Sequence, residues 1–254
     1  MRQPLVVANW KMNMTAPQAA DYCLRLRELL GGEVPAQVVV CPPYPALQAV
    51  RDALAGTGVA LGAQNFFPKS NGAYTGEVSI DMLQALDCQY VIVGHSERRA
   101  LFGETAEIIS EKVKVAVESG VTPILCVGET MSERSLGMTN KVIGQQLLTC
   151  LKHLRPEQLG YVVVAYEPLW AIGSGRAATP RDAAAVAEFA RQKLRRLMDG
   201  NTDSLRVLYG GSVNPENMLA FAQEKEVDGA LVGGASLNAE KFAAIAKAYG
   251  AKRL

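Results

Sequence analysis

The sequence has almost no net charge, +1 over 254 residues. No global field is available to draw in nucleic acid or an anionic membrane surface, so neither partner is expected. No apolar run approaches the roughly 20 residues that cross a bilayer. The five cysteines (Cys23, Cys41, Cys88, Cys126 and Cys150) are odd in number and scattered. No pair has metal-ligand spacing, and a reducing cytosol fits that usage, so a cytoplasmic location and no bound metal are expected. The first expected strand begins at Leu5, which leaves no room ahead of it for a secretory leader. That strand is followed by Asn9-Trp10-Lys11-Met12-Asn13 and not by the Gly-x-Gly-x-x-Gly turn of open nucleotide-binding sheets.

The most informative stretch is Tyr161 to Gly175. It opens with an unbroken apolar run, Tyr161–Tyr166, that suits a strand buried on both faces. The run ends in one carboxylate, Glu167. A lone acid at such an exit is partly desolvated, which makes it a candidate proton-transfer group. Pro168 follows, then a loop with Trp170, Gly173 and Gly175 that is apolar enough to cover a ligand and glycine-rich enough to move.

Seven further runs read as short strands: Leu5–Trp10, Gln37–Cys41, Val59–Gln64, Tyr90–Gly94, Val121–Val127, Leu205–Tyr209 and Gly229–Gly233. The segments between them have helical period. After Pro180, residues Val186, Phe189, Ala190, Leu194 and Leu197 share one face, and Glu188, Arg191, Gln192 and Arg195 share the other. Thr179, Pro180 and Asp182 mark that helix start. Asn214-Pro215-Glu216 and Asn238-Ala239-Glu240 mark the next two. Eight βα units without a composition break predict one (β/α)8 barrel domain over residues 1–254.

One connection is too long for a simple turn. Gln64 to Ser79 is a loop of about fifteen residues, with an expected tight turn at Asn71-Gly72. Phe66, Phe67 and Tyr74 are costly to leave in water, so the loop either folds on its own barrel or is covered by another surface.

Barrel enzymes work at the C-terminal strand ends. The exits collect Asn9 and Lys11 after the first strand, and His95, Ser96 and Glu97 after the fourth. Glu167 follows the sixth, Gly210-Gly211-Ser212 the seventh, and Gly233-Gly234 the eighth. Glycines there let backbone N–H groups approach an anion, although tight turns also use them. His95 stands where a helix begins, a place that disfavours a positive imidazole. It is either a carbonyl-polarising donor or a structural histidine. Lys11 is either an anion partner or a solvated lysine.

Five motifs then carry a resemblance. They are Ala8–Asn13, Val93–Arg99, Ala165–Gly175, Tyr209–Val213 and Val232–Leu237. In residue types and in order, the chain closely resembles the triosephosphate isomerase family, across essentially its whole length. The resemblance implies a TIM barrel that interconverts dihydroxyacetone phosphate and glyceraldehyde 3-phosphate without a cofactor. It implies Glu167 as the base, and His95 as the neutral electrophile, a role well established for this family. Lys11 and Asn9 would hold the substrate, and Gly173, Ser212, Gly233 and Gly234 the phosphate. Pro168–Thr179 would be a closing lid and Gln64–Ser79 the contact of a homodimer. At the lid tip, Ser174 and Arg176 stand where many members carry threonine and lysine. Two other functions compete: a Schiff-base aldolase, for which Lys11 is the only candidate nucleophile, and a non-catalytic sugar-phosphate binder.

Overall fold

The computed structural model describes residues 2–32, 34–171, 178–198, 202 and 204–251. Among them, eight parallel strands close into a barrel in sequence order. They are β1 (Leu5–Asn9), β2 (Gln37–Cys41), β3 (Val59–Ala63), β4 (Tyr90–Val93), β5 (Thr122–Val127), β6 (Val163–Tyr166), β7 (Arg206–Tyr209) and β8 (Gly229–Val232). The ring closes where β8 pairs with β1, Leu5 opposite Gly229. A Cβ at Gly229 would lie 1.8 Å from the Leu5 carbonyl oxygen, so only glycine fits this seam.

The absence of polar alternation in the strands has a direct structural reason. On β1, Leu5 and Val7 point into the barrel, while Val6 and Ala8 point out to the helices. Both faces are buried, so both must be apolar. The inward set continues through Val39, Cys41, Tyr90, Ile92, Ile124, Cys126, Val163, Ala165, Leu208 and Leu231. The same parity, carried to the end of β1 and one step past β5, β6, β7 and β8, brings Asn9, Gly128, Glu167, Gly210 and Gly233 to the top layer of the barrel. Strand exits therefore become one rim.

β6 is shorter than its apolar run suggests. Tyr161 closes a 3-10 turn that begins at Pro156, and its side chain is exposed. Pairing on both sides of β6 starts only at Val163, opposite Ile124 and Arg206. Hydrophobicity extended the run past the last residue with a neighbour to bond.

The helix Pro180–Arg195 starts as its sequence requires. Thr179 Oγ1 accepts from the Asp182 N–H at 3.1 Å, and Asp182 Oδ2 accepts from the Thr179 N–H at 2.9 Å. Its faces differ at two positions from the periodic reading. Leu197 lies beyond the helix end and is exposed. Arg191, expected in solvent, is buried and donates to Glu226 and Asp228. Asp228 also accepts from Arg2 Nε at 2.7 Å and from the Val207 N–H at 2.9 Å, and so ties three chain segments together below β7 and β8. Sequence spacing counts Arg191 as polar, but a charge with a satisfied partner can occupy a core position.

The long loop is tied at its base by the Phe67 N–H to the Val78 carbonyl, 2.8 Å. Gly72 takes φ 137° in the expected turn. Of the three loop aromatics, Phe66 is fully buried in the chain's own core. Phe67 packs on Tyr74, ring centroids 4.5 Å apart, and Tyr74 is half exposed. Phe66 thus follows the expectation of a loop folded on its own barrel.

Candidate active site at the barrel rim

Asn9, Lys11, His95, Glu167, Ser212, Gly233 and Gly234 all line one cavity of ≈ 490 Å³ at the C-terminal ends of the strands. Gly173 lies outside the described residues. The structure thus gathers every described residue of the expected site around a single opening.

Lys11 is held there by its backbone. It adopts φ 53°, a left-handed conformation uncommon for a residue with a Cβ. Three neighbours brace it. Asn9 Oδ1 accepts from the Lys11 N–H at 3.1 Å, Gln64 Nε2 donates to the Lys11 carbonyl at 2.8 Å, and Asn13 Nδ2 donates to the Trp10 carbonyl at 2.7 Å. Strain of this kind persists only where surroundings over-determine it. Its effect is to turn the side chain across the rim, where Nζ meets Glu97 Oε1 at 2.6 Å.

His95 precedes the short helix Ser96–Leu101 and caps it. Its Nδ1 accepts from the Glu97 N–H at 3.3 Å. An imidazole that accepts at Nδ1 carries its proton on Nε2, so the ring presents Nε2–H. Nε2 lies 2.9 Å from Glu167 Oε1. The ring is thereby oriented as a donor into the cavity.

Glu167 is 2% exposed. Its Oε2 accepts from the Ser96 N–H at 2.9 Å, and its Oε1 lies 3.4 Å from Ser96 Oγ. Two glycines make room for it. A Cβ at Gly210 would lie 3.0 Å from Glu167 Cγ, and one at Gly128 would lie 1.8 Å from the Glu167 carbonyl oxygen. Cys126, one strand over, is an inner-core residue, and burial pushes its thiol well above the ordinary range.

The loop after Glu167 is anchored at both ends. Buried Glu129 Oε1 accepts from Trp170 Nε1 at 3.1 Å and from the Tyr166 hydroxyl at 3.0 Å. Burial, reinforced by Glu129, pushes the Tyr166 hydroxyl far up, so it remains a donor. Arg134 stacks over the Trp170 ring at 4.2 Å and pairs with Asp182 at 2.6 Å. Asp182 belongs to the cap where the loop rejoins a helix. Residues 172–177 of the expected lid lie outside the described residues, and Ala178 beyond them is buried.

Gly233 and Gly234 open a one-turn 3-10 helix, Gly234–Leu237. Peptide N–H groups at such a start have no acceptor within the turn. Nothing lies within 4 Å of the position a Cβ would take at Gly234, so an anion can approach the backbone closely.

Fold and cavity together place the chain among the (β/α)8-barrel enzymes that act at the C-terminal rim. A family model described as Triosephosphate isomerase matches residues 4–249. The triosephosphate isomerase of Carboxydothermus hydrogenoformans is 49% identical, over 97% of this chain and 99% of that one. Those of Moorella thermoacetica and Aquifex aeolicus are 48% and 46% identical, each over 96% of this chain. The chain belongs to the triosephosphate isomerase family.

Three residues of the site carry more than the sequence signalled. Glu97 and Ser96 were legible only as polar residues at a strand exit, and an acid in a first helical turn is ordinary. Gln64 belonged to the long loop, yet its amide bridges the Lys11 and Cys41 carbonyls at 2.8 and 2.9 Å. Nothing in a single sequence marks a side chain that props up a backbone from a distant segment.

Proposed function

We propose that the chain interconverts dihydroxyacetone phosphate and D-glyceraldehyde 3-phosphate by proton transfer through an enediolate. Glu167 is the base, His95 the donor to the substrate oxygens, and Lys11 the positive charge beside the developing oxyanion. The observation that carries this reading is the 2.9 Å approach of His95 Nε2 to Glu167 Oε1 in a cavity that also contains Lys11 and the glycine pair.

The chemistry follows from what each group can do. Glu167 leaves Ser96, takes a proton from one substrate carbon and returns it to the next. His95 Nε2–H donates to the carbonyl oxygen as charge develops there. Asn9 and Lys11 complete the electrostatic support, which acts more strongly where water is excluded. Proton transfer by a positioned base contributes roughly 10²–10⁴-fold, so the base and the oxyanion donors are both needed. The phosphate rests on backbone groups of Gly233 and Gly234 and beside Ser212, with Gly173 completing the set. No cofactor enters any step.

The aldolase alternative loses ground at Lys11. Its ammonium pairs with Glu97, and a charged lysine has no lone pair with which to attack a carbonyl.

The partner in this reading is a second copy, met through the Gln64–Ser79 loop. Beside the active cavity lies a groove of ≈ 290 Å³ lined by Met12, Tyr44, Gln64, His95, Glu97 and Phe102, among others. Met12 is 95% exposed and Phe102 67% exposed, a poor arrangement for a lone protomer. The whole chain acts as one barrel domain in the cytoplasm. Among the described residues no helix is long and apolar enough to cross a membrane.

A coupled assay with glyceraldehyde 3-phosphate tests the function. Glu167→Gln keeps the shape and removes the base, so turnover should fall by roughly 10²–10⁴-fold while binding of an unreactive phosphate analogue persists. Near-parental turnover would remove Glu167 from the mechanism.

A further inference from the structure

We propose that Lys241 is a substrate-capture residue: its unpaired charge at the rim adds to that of Lys11 in drawing the dianionic phosphate to the open site. The proposal rests on the phosphate lying at Ser212, Gly233 and Gly234.

The argument is one of local charge. Apart from His95, the charged residues lining the cavity among the described residues are Lys11, Glu167 and Lys241. Lys11 is paired with Glu97 at 2.6 Å, which offsets part of its pull at a distance. Glu167 repels a phosphate, and among the described lining residues Lys241 is the cation without a carboxylate partner. The chain as a whole carries only +1, so its net charge adds little attraction.

Lys241 is placed to supply that charge. It sits in the first turn of the helix Ala239–Ala251, just past the glycine pair, and its N–H is held by Asn238 Oδ1 at 2.8 Å. It is exposed at the cavity mouth. Its neighbour Glu240 is drawn away by Arg25, at 3.0 Å. Among the described residues no carboxylate forms an ion pair with Lys241. An unpaired ammonium at the rim acts on the approaching dianion before the site closes, so its effect belongs in kcat/KM and fades with salt.

The test compares glyceraldehyde 3-phosphate with uncharged glyceraldehyde as a function of ionic strength. For Lys241→Gln, the ratio of the two kcat/KM values should fall roughly three- to tenfold at low salt, with kcat for the phosphorylated substrate little altered. The difference from the parent should shrink toward nothing at about 0.5 M salt. Lys241→Arg should restore the ratio and Lys241→Glu lower it further. Equal losses on both substrates would mark a structural role, and an unchanged salt slope would show that Lys241 does not steer; either overturns the proposal. Ser212→Asp separates this from an error in the phosphate's placement. It should damage use of the phosphorylated substrate far more than use of glyceraldehyde, and if it does not, the phosphate lies elsewhere and the assignment of Lys241 falls with it.

Discussion

Replacing Gly128 with alanine should cut turnover about a hundredfold without touching any group that meets the substrate. The new Cβ would lie 1.8 Å from the Glu167 carbonyl oxygen, where ordinary contact begins at 3.4 Å. Neither side can yield freely. Gly128 is pinned by Gln146, whose amide accepts from its N–H and donates to its carbonyl, both at 2.9 Å. Glu167 is pinned by its own N–H to the Val127 carbonyl at 2.8 Å. The clash therefore displaces the backbone of Glu167 by more than 1 Å, and a 1 Å misplacement of a catalytic group costs on the order of 10²-fold. The overpacking itself costs about 1–3 kcal/mol. For a chain of this size that lowers the melting midpoint by roughly 2–12 °C, so the variant stays folded at assay temperature. Steady-state kinetics with a circular-dichroism melt separate the two effects. The double variant Gly128→Ala, Gln146→Ala should recover part of the lost turnover, because it lets residue 128 retreat. Turnover within threefold of the parent, at an unchanged midpoint, would refute the packing argument.

Three other perturbations test the rest of the structure. Asp228→Asn leaves buried Arg191 without its full charge partner and should destabilise the fold by about 3–5 kcal/mol in denaturant titration; a loss under about 1 kcal/mol would deny that pair its role. Burial alone would raise the Glu104 carboxyl, but Lys112 and Arg98 outweigh it and hold it below the ordinary 4.5. A depressed carboxylate gives stability that is present above pH 4.5 and is lost as pH falls through its folded value. The melting gap between the parent and Glu104→Gln should therefore be wide near pH 6 and narrow toward pH 3, and a constant gap would contradict the sign. Finally, Met12→Asp with Phe102→Asp should shift sedimentation toward monomer, because both side chains stand exposed beside the groove; an unaltered profile would count against the dimer contact.

How far the sequence reaches is clearest at particular residues. The strand run ending at Val127 and the cap at Thr179 are local facts, set by burial on two faces and by one hydroxyl three residues from its donor. They were legible because their causes lie within a few positions of each other. Arg191 was misassigned because its partners, Glu226 and Asp228, are thirty-five and thirty-seven positions away. Phe66 was assigned to a possible contact surface, and its core position depends on a loop that folds back on the barrel.

The chain by itself determined the order of strands and helices and the candidate residues at strand exits, because each rests on periodicity or on a short motif. Tertiary structure alone decided that Glu97 would meet Lys11, that Ser96 would hold Glu167, and that Gln64 would brace the strained turn. Those pairings span separate strands, and their distances exist only once the barrel has closed and its parity has turned every exit toward one rim.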